Sequence, residues 1–148
     1  MNNIEFVDIV FGLCWGDEGK GKVVSSLCST YDMVCRFNGG NNAGHTIYVN
    51  GDKYKTHLIP SGVFYGIKSI IGPNCVVNVK SFFEELKYLK NNGFNTSNIY
   101  ISPRAHIITD EHINIDKENN KHLGTTSKGI GPCYTDKVNR KGIQAKDI

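Results

Sequence analysis

Short apolar runs alternate with polar, glycine-rich breaks along the 148-residue chain, and the spacing within each run predicts its element. Phe6-Val-Asp-Ile-Val-Phe11 reads as a strand. From Lys20 to Ser29, Val23, Val24 and Leu27 share one helical face. Met33 to Phe37 suits a second buried strand and leads into Asn38-Gly-Gly-Asn-Asn-Ala-Gly44, too rich in glycine and asparagine for a regular element. Thr46-Ile-Tyr-Val-Asn and Lys53-Tyr-Lys-Thr-His flank Gly51-Asp52 in the pattern of a β-hairpin. Ile67 to Ile71 and Cys75 to Val79 read as two strands around a Gly72-Pro-Asn turn. Ser81 to Asn91 predicts a helix, because Phe82, Phe83, Leu86 and Leu89 share a face and Gly93 supplies a stop. Ile99 to Ser102 returns to strand, Asp110 to Lys121 suits a polar helix, and Gly124-Thr-Thr-Ser-Lys-Gly-Ile-Gly-Pro132 forms another glycine-rich loop. Strands alternating with helices predict an α/β fold: a largely parallel sheet flanked by helices, in a P-loop-like nucleotide-binding domain with a small β-hairpin insertion. Residues 1–148 are expected to form one such segment.

Composition narrows the class of ligand. A hydrophobic fraction of 39% and a charged fraction of 21% are ordinary for a globular chain, so neither disorder nor a fibrous structure is indicated. A net charge of +3 without a dense basic stripe fits an anionic small molecule better than nucleic acid. The lysines and arginines between Lys128 and Lys146 read as a solvated basic face. Five scattered cysteines (Cys14, Cys28, Cys35, Cys75, Cys133) without a C-x-x-C pair argue against a disulfide framework or a zinc knuckle and point to a reducing compartment. With no membrane-length apolar segment and no signal-peptide pattern at the start, the expected location is the cytoplasm, with no membrane partner.

The candidate chemistry lies in the loops. Gly16-Asp-Glu-Gly-Lys-Gly-Lys22 behind an apolar run turns backbone N–H groups and a helix N-terminus toward one point, which suits a phosphate. It nearly meets the pattern G-x-x-x-x-G-K, but Val23 stands where a Ser or Thr should hold magnesium, so a metal there needs another ligand. Asp17 is the nearest candidate. Taken alone it could be a metal ligand, a general base or a solvated loop carboxylate, and the adjoining phosphate cradle favours the first two. Glu18 could simply favour the helix N-terminus. Lys20 and Lys22 are phosphate contacts or solvent-facing charges, with contact favoured for at least one. His45, at the end of a loop, could reach a substrate and donate a proton near neutral pH, although a histidine taken alone is more often structural. His57, His106, His112 and His122 lack the companions of a metal site and read as structural. No Ser or Cys sits in a nucleophile elbow. Three such loops, 16–22, 38–46 and 124–132, are expected to meet at one site, as loops of α/β folds do at the carboxyl ends of strands.

Gly12-Leu-Cys-Trp-Gly-Asp-Glu-Gly-Lys-Gly-Lys22, Arg36-Phe-Asn-Gly-Gly-Asn-Asn-Ala-Gly-His-Thr46, His57-Leu-Ile-Pro-Ser-Gly62, and Gly124 to Pro132 with Asp136-Lys-Val-Asn-Arg140 closely resemble the adenylosuccinate synthetase family. The resemblance spans nearly the whole chain. It implies a GTP-dependent ligase joining L-aspartate to inosine monophosphate (IMP) in AMP biosynthesis, through transfer of the γ-phosphoryl group to the 6-oxygen of IMP and its displacement by the aspartate amino group. It further implies that Asp17 deprotonates the base and binds Mg2+, that His45 acts as the acid, and that Lys20 steadies the transferring group. The Gly44 carbonyl would be a second magnesium ligand. GTP would meet Gly16, Asp17, Glu18, Gly19, Lys20, Gly21, Lys22, Gly44, His45 and Thr46. IMP would meet Asp17, Glu18, Gly19, Lys20, Asn42, Ala43, Gly44, His45 and Thr126. Arg140 matches an arginine lent across a homodimer interface to the partner's IMP site.

Departures from the family pattern are Cys14 for Gln, Pro73-Asn74 for Asn-Gly, and Ser127-Lys128 for Gly-Arg; they are expected to tune loops without removing a catalytic group. The portion that normally supplies guanine recognition, the aspartate-binding loop and further IMP contacts is not found, so the chain is expected to be an N-terminal segment. A non-catalytic nucleotide-binding remnant, or a partner of a full-length subunit, is the alternative. A related enzyme that aminates a guanine nucleotide is disfavoured, because that group is expected to lack the carboxylate matched by Asp17.

Overall fold

The computed structural model describes residues 6–16 and 18–148, and at 120–123 the backbone alone. Asp17 and the side chain of His122 lie outside the described residues. The centre of the fold is the strand β4 (Lys68–Val77), whose partners are all parallel to it. Along one edge runs β1 (Met33–Gly39), in register from Met33 opposite Lys68 to Gly39 opposite Cys75. Along the other edge lie two short strands in succession, β5 (Ile99–Ile101) beside Ser69–Ile71 and β6 (His106–Ile107) beside Val76–Val77. A parallel strand covered on both faces needs an apolar run, and β4 supplies one in Ile71, Cys75, Val76 and Val77, all buried.

Helices and a hairpin cover the sheet. Asn78, at the end of β4, caps helix α2 (Val79–Asn91) by accepting the Ser81 N–H at 2.9 Å. The helix buries Leu89 with Ile47, Ile59, Val63 and Phe64, while Leu58, Ile71, Cys75, Val77, Ala105 and Ile107 form a second cluster. Helices α3 (Asp110–Leu123) and α4 (Ile130–Val138) lie beyond β6, where Val76, Ile108 and Cys133 make a third. Ahead of the sheet comes α1 (Lys20–Leu27), and between β1 and β4 stands the antiparallel hairpin of β2 (His45–Val49) and β3 (Asp52–Thr56). Fold class, parallel sheet and hairpin insertion are as the sequence predicts.

Several boundaries differ from expectation. Residues 6–11 form no strand: their backbone joins no ladder, and Phe6, Val7, Ile9 and Phe11 are exposed. Side-chain contacts hold this segment instead, with the Phe6 ring edge-on to Tyr31 at 5.5 Å and the Tyr31 hydroxyl donating to Asp8. A run of β-formers becomes a strand only where another strand takes its N–H and C=O groups. For the same reason β1 is half-exposed rather than buried, since among the described residues it pairs on one edge only.

The expected turn at Gly72-Pro-Asn is absent, and Lys68–Val77 is one strand. Pairing with β1 skips from Arg36–Ile71 to Asn38–Asn74, so Pro73, which has no N–H to offer the ladder, falls at an irregularity. Glycine at 72 serves close approach: a Cβ there would stand 2.7 Å from the Arg36 carbonyl oxygen. The hairpin turns one residue earlier than predicted, at Asn50-Gly51, both with positive φ (52° and 90°), the mark of a two-residue I′ turn. Helix α2 starts at Val79 rather than Ser81. The loop 124–132 ends early because α4 begins at Ile130, and Pro132 sits in its first turn, where a missing N–H breaks no helical hydrogen bond.

Candidate functional site

The first loop is organised by Glu18. Its carboxylate turns back to accept the N–H groups of Cys14 (3.2 Å) and Gly16 (3.3 Å) and pairs with the Lys20 ammonium. The hydrogen bond from Lys20, then the backbone N–H groups of Glu18 itself and of Gly16, hold the Glu18 carboxyl down at about 2. Gly19, at φ 84°, then turns the chain into α1, whose positive end receives no side-chain cap from Gly19 and so can meet an anion as far as the described residues go.

The second loop meets α1 at His45, the first residue of β2. A Cβ on Gly21 would stand 2.6 Å from His45 Nδ1, so the imidazole lies against the first turn of α1 only because residue 21 is glycine. Burial, and then the charges of Arg36, His57 and Lys20, push the His45 imidazolium below its ordinary value of 6.5. At neutral pH the ring is therefore neutral, with one donor nitrogen and one acceptor. Upstream, the same loop is pinned by its carbonyls. Arg36 donates from Nε to Asn38 (3.0 Å) and from Nη2 to Gly40 (2.8 Å), and Lys128 Nζ donates to Asn41 (2.8 Å). The His57 ring reaches the Ala43 carbonyl at 2.8 Å.

The third loop is joined to the second at two points. Lys128 is one, and the other is Gly40, where a Cβ would stand 2.6 Å from Ile130 Cδ1. Its own shape is set by α3: the buried Asp116 carboxylate accepts the Gly129 N–H at 2.8 Å. Tyr134 of α4 completes the joint, accepting the Gly39 N–H and donating to the Asn74 carbonyl. An open cavity of about 480 Å³ lies beside this junction, lined in part by Asn41, Lys55, His57, Ser81, Ser127 and Lys128. Asn41 is 6% exposed; its Nδ2 donates to Ser81 Oγ at 3.0 Å, while its Oδ1 has no partner among the described residues.

The structure thus seats Gly21 against His45, whose imidazole also feels the Lys20 charge, and joins the second loop to the third through Asn41. Asn42, Gly44 and Thr46 are exposed at the surface of this junction, as is Thr126. Lys22 is exposed on α1, and Arg140 is exposed beyond the end of α4 with a left-handed φ of 58°. Two lysines expected on a solvated basic face point inward instead: Lys128 to Asn41, and Lys137 to the Pro73 carbonyl at 3.2 Å. Among the described residues no three His, Cys, Asp or Glu side chains group to hold a metal. Magnesium needs only one or two protein oxygens when phosphate and water complete its shell, so a carboxylate at 17 and the carbonyl of the exposed Gly44 fit it in kind. The residues that reasoning from sequence passed over are Glu85, Asp116 and Tyr134, together with any particular task for Arg36 and His57. A charge inside the apolar run Met33 to Phe37 was a signal for Arg36; Glu85 binds backbone alone and leaves none.

A parallel sheet with helices across it, and a glycine-rich loop at the carboxyl end of β1 that is joined to the 124–132 loop and, at His45, to the start of α1, define a P-loop-like α/β domain. Residues 9–148 match the family model described as adenylosuccinate synthetase. The chain belongs to the adenylosuccinate synthetase family. It is 51% identical over 144 residues to the adenylosuccinate synthetase of Borrelia turicatae and 52% identical over 146 residues to that of Lysinibacillus sphaericus, covering 94% and 95% of this chain. It spans 34% of the length of each. The fully ligated adenylosuccinate synthetase of Plasmodium falciparum superposes with a TM-score of 0.80 at 46% identity, over 89% of this chain and 32% of that one. The succinoaminodeoxyadenylate synthetase of cyanophage S-2L, bound to dGMP and dATP, shares the fold with a TM-score of 0.66 at 22% identity, over 85% of this chain and 36% of that one. No helix among the described residues is long and apolar enough to cross a membrane.

Proposed function

We propose that these loops serve adenylosuccinate synthesis: GTP-dependent ligation of L-aspartate to IMP, giving adenylosuccinate, GDP and phosphate. The observation that carries this reading is the seating of His45 on Gly21, beside the start of α1. That seat supports a neutral imidazole working beside backbone donors suited to phosphate, with Lys20 between Gly19 and Gly21. In this reading Asp17 takes the proton from the purine ring, so that the 6-oxygen can attack the γ-phosphorus. His45 donates toward the oxygen between the β- and γ-phosphates, and Lys20 exchanges its Glu18 partner for the transferring group. The aspartate amino group then displaces phosphate from C6. Gly16 to Lys22 and Gly44 to Thr46 hold GTP; Asp17 to Lys20, Asn42 to His45 and Thr126 hold IMP. Mg2+, held by Asp17 and the Gly44 carbonyl, would neutralise phosphate charge. Recognition of guanine and of aspartate would fall to sequence of the kind found elsewhere in the longer relatives.

The whole protein is proposed to act in the cytoplasm as a homodimer in which Arg140 reaches the IMP site of the other subunit. A coupled assay with GTP, IMP, L-aspartate and Mg2+ tests the activity. Adenylosuccinate formation supports the reading, whereas nucleotide binding without product would support a non-catalytic nucleotide-binding chain. Asp17→Ala is expected to lower turnover by at least a hundredfold, the usual scale for a lost general base; near-wild-type turnover would remove Asp17 from both its roles.

A further inference from the structure

The peptide units of residues 57–59 are gripped from two sides by opposite charges. Glu85, on α2 and 8% exposed, accepts three backbone N–H groups at once: His57 (2.9 Å), Leu58 (3.0 Å) and Ile59 (3.2 Å). Arg36, on β1, donates from Nη1 to the carbonyls of His57 and Leu58. The cation and the anion therefore face each other through aligned peptide dipoles, each stabilised by the end of the dipole turned toward it. That explains how two charged groups can stand at this junction without touching.

The grip reaches the candidate site by two routes. Arg36 itself holds the Asn38 and Gly40 carbonyls. Glu85 acts through His57, whose ring must carry its proton on Nδ1 to donate to the Ala43 carbonyl. With Lys128 on Asn41, the carbonyls of residues 38, 40, 41 and 43 all receive side-chain donors from outside the loop. Those of Asn42 and Gly44 do not figure among these bonds, and both residues are exposed.

We propose that Arg36 and Glu85 are positioning residues which, through the 57–59 backbone and the His57 ring, fix the 38–46 loop so that Asn42, Gly44 and His45 face the ligand. The inference rests on the proposed function only for the identity of that ligand. Glu85→Gln is nearly isosteric but replaces one acceptor oxygen with a donor group and removes the charge. In the 148-residue chain it is expected to speed amide exchange at residues 57–59 about tenfold or more, the scale of a lost hydrogen bond to a charged group. It should also lower the Nδ1–H fraction of His57 seen by 15N NMR, shift the amide resonances of residues 43–45, and weaken IMP binding by about the same factor. Arg36→Lys should move the same resonances, because an ammonium cannot fork to four carbonyls.

His57→Ala, at an exposed position, should shift residues 43–45 and weaken IMP without loosening the 57–59 amides, which keeps the test independent of any folding defect in the other variants. Glu84→Gln, next door and exposed, should leave every readout unchanged. Unmoved resonances at 43–45 in Glu85→Gln and His57→Ala would overturn the proposal. Loosened amides with unchanged IMP affinity would overturn it too, reducing the grip to a stabilising one. If the unsubstituted chain binds no IMP, the resonances of 43–45 alone decide the positioning role.

Discussion

His45 lies where it does because residue 21 has no side chain, and its titration records the surroundings that this creates. A histidine whose imidazolium is disfavoured in the folded state binds its proton more readily when unfolded. Stability is therefore full above the ordinary value of 6.5 and is lost as pH falls from there through the depressed folded value. His106 is shifted in the same direction, chiefly by burial, and contributes to the same acid-side loss. His45→Asn is expected to flatten only part of the slope; urea midpoints measured from neutral to acid pH for both proteins check this, and an unchanged slope would mean the ring is as solvated as in the unfolded chain. At this scale the sequence was legible where chemistry is concentrated: the glycine-lysine loop and the loop ending in His45 announce themselves by composition. Glu85 was not legible, because its partners are three backbone N–H groups brought from 26 to 28 residues away, and backbone carries no sequence signal.

Among the elements, α1 sets a contest between two effects of known size. Replacing Gly21 with alanine removes a glycine from the first turn of α1, a gain in intrinsic propensity smaller than the about 1 kcal/mol of a helix-interior glycine. The added Cβ, however, would stand 2.6 Å from His45 Nδ1, so the ring has to leave. Gly21→Ala is therefore expected to show little or no gain in thermal stability and a clear loss of GTP affinity; a more stable protein with unchanged affinity would mean that His45 has no fixed seat. Element identity was readable from periodicity throughout α2 and the hairpin. It failed at residues 6–11 and at Gly72-Pro-Asn for a shared reason. In both places the outcome depends on which backbone lies alongside: the strand formers at 6–11 have no ladder, and the turn formers at 72–74 are drawn straight beside the irregular register of β1.

For the whole molecule, the sheet has β1 open along one edge among the described residues, and Phe6, Val7, Ile9, Phe11, Leu13 and Trp15 are exposed. The chain spans 34% of the length of its curated relatives, so substrates and assembly are read as properties of the whole protein. Arg140, exposed at the end of α4, is the residue on which the proposed assembly turns. Arg140→Leu is expected to raise the KM for IMP with little change in that for GTP, measured in an adenylosuccinate-forming preparation. Equal effects on both would place it outside the partner's IMP site. The central claim is that the loops joined at Gly21, His45 and Asn41 form one nucleotide-phosphate site. Titration of the 15N-labelled 148-residue chain with GTP and Mg2+, then IMP, tests it directly. Saturable shifts centred on residues 19–22 and 42–46, joined by Thr126 when IMP is added, are the predicted result; no saturable binding, or shifts centred away from these loops, would contradict it.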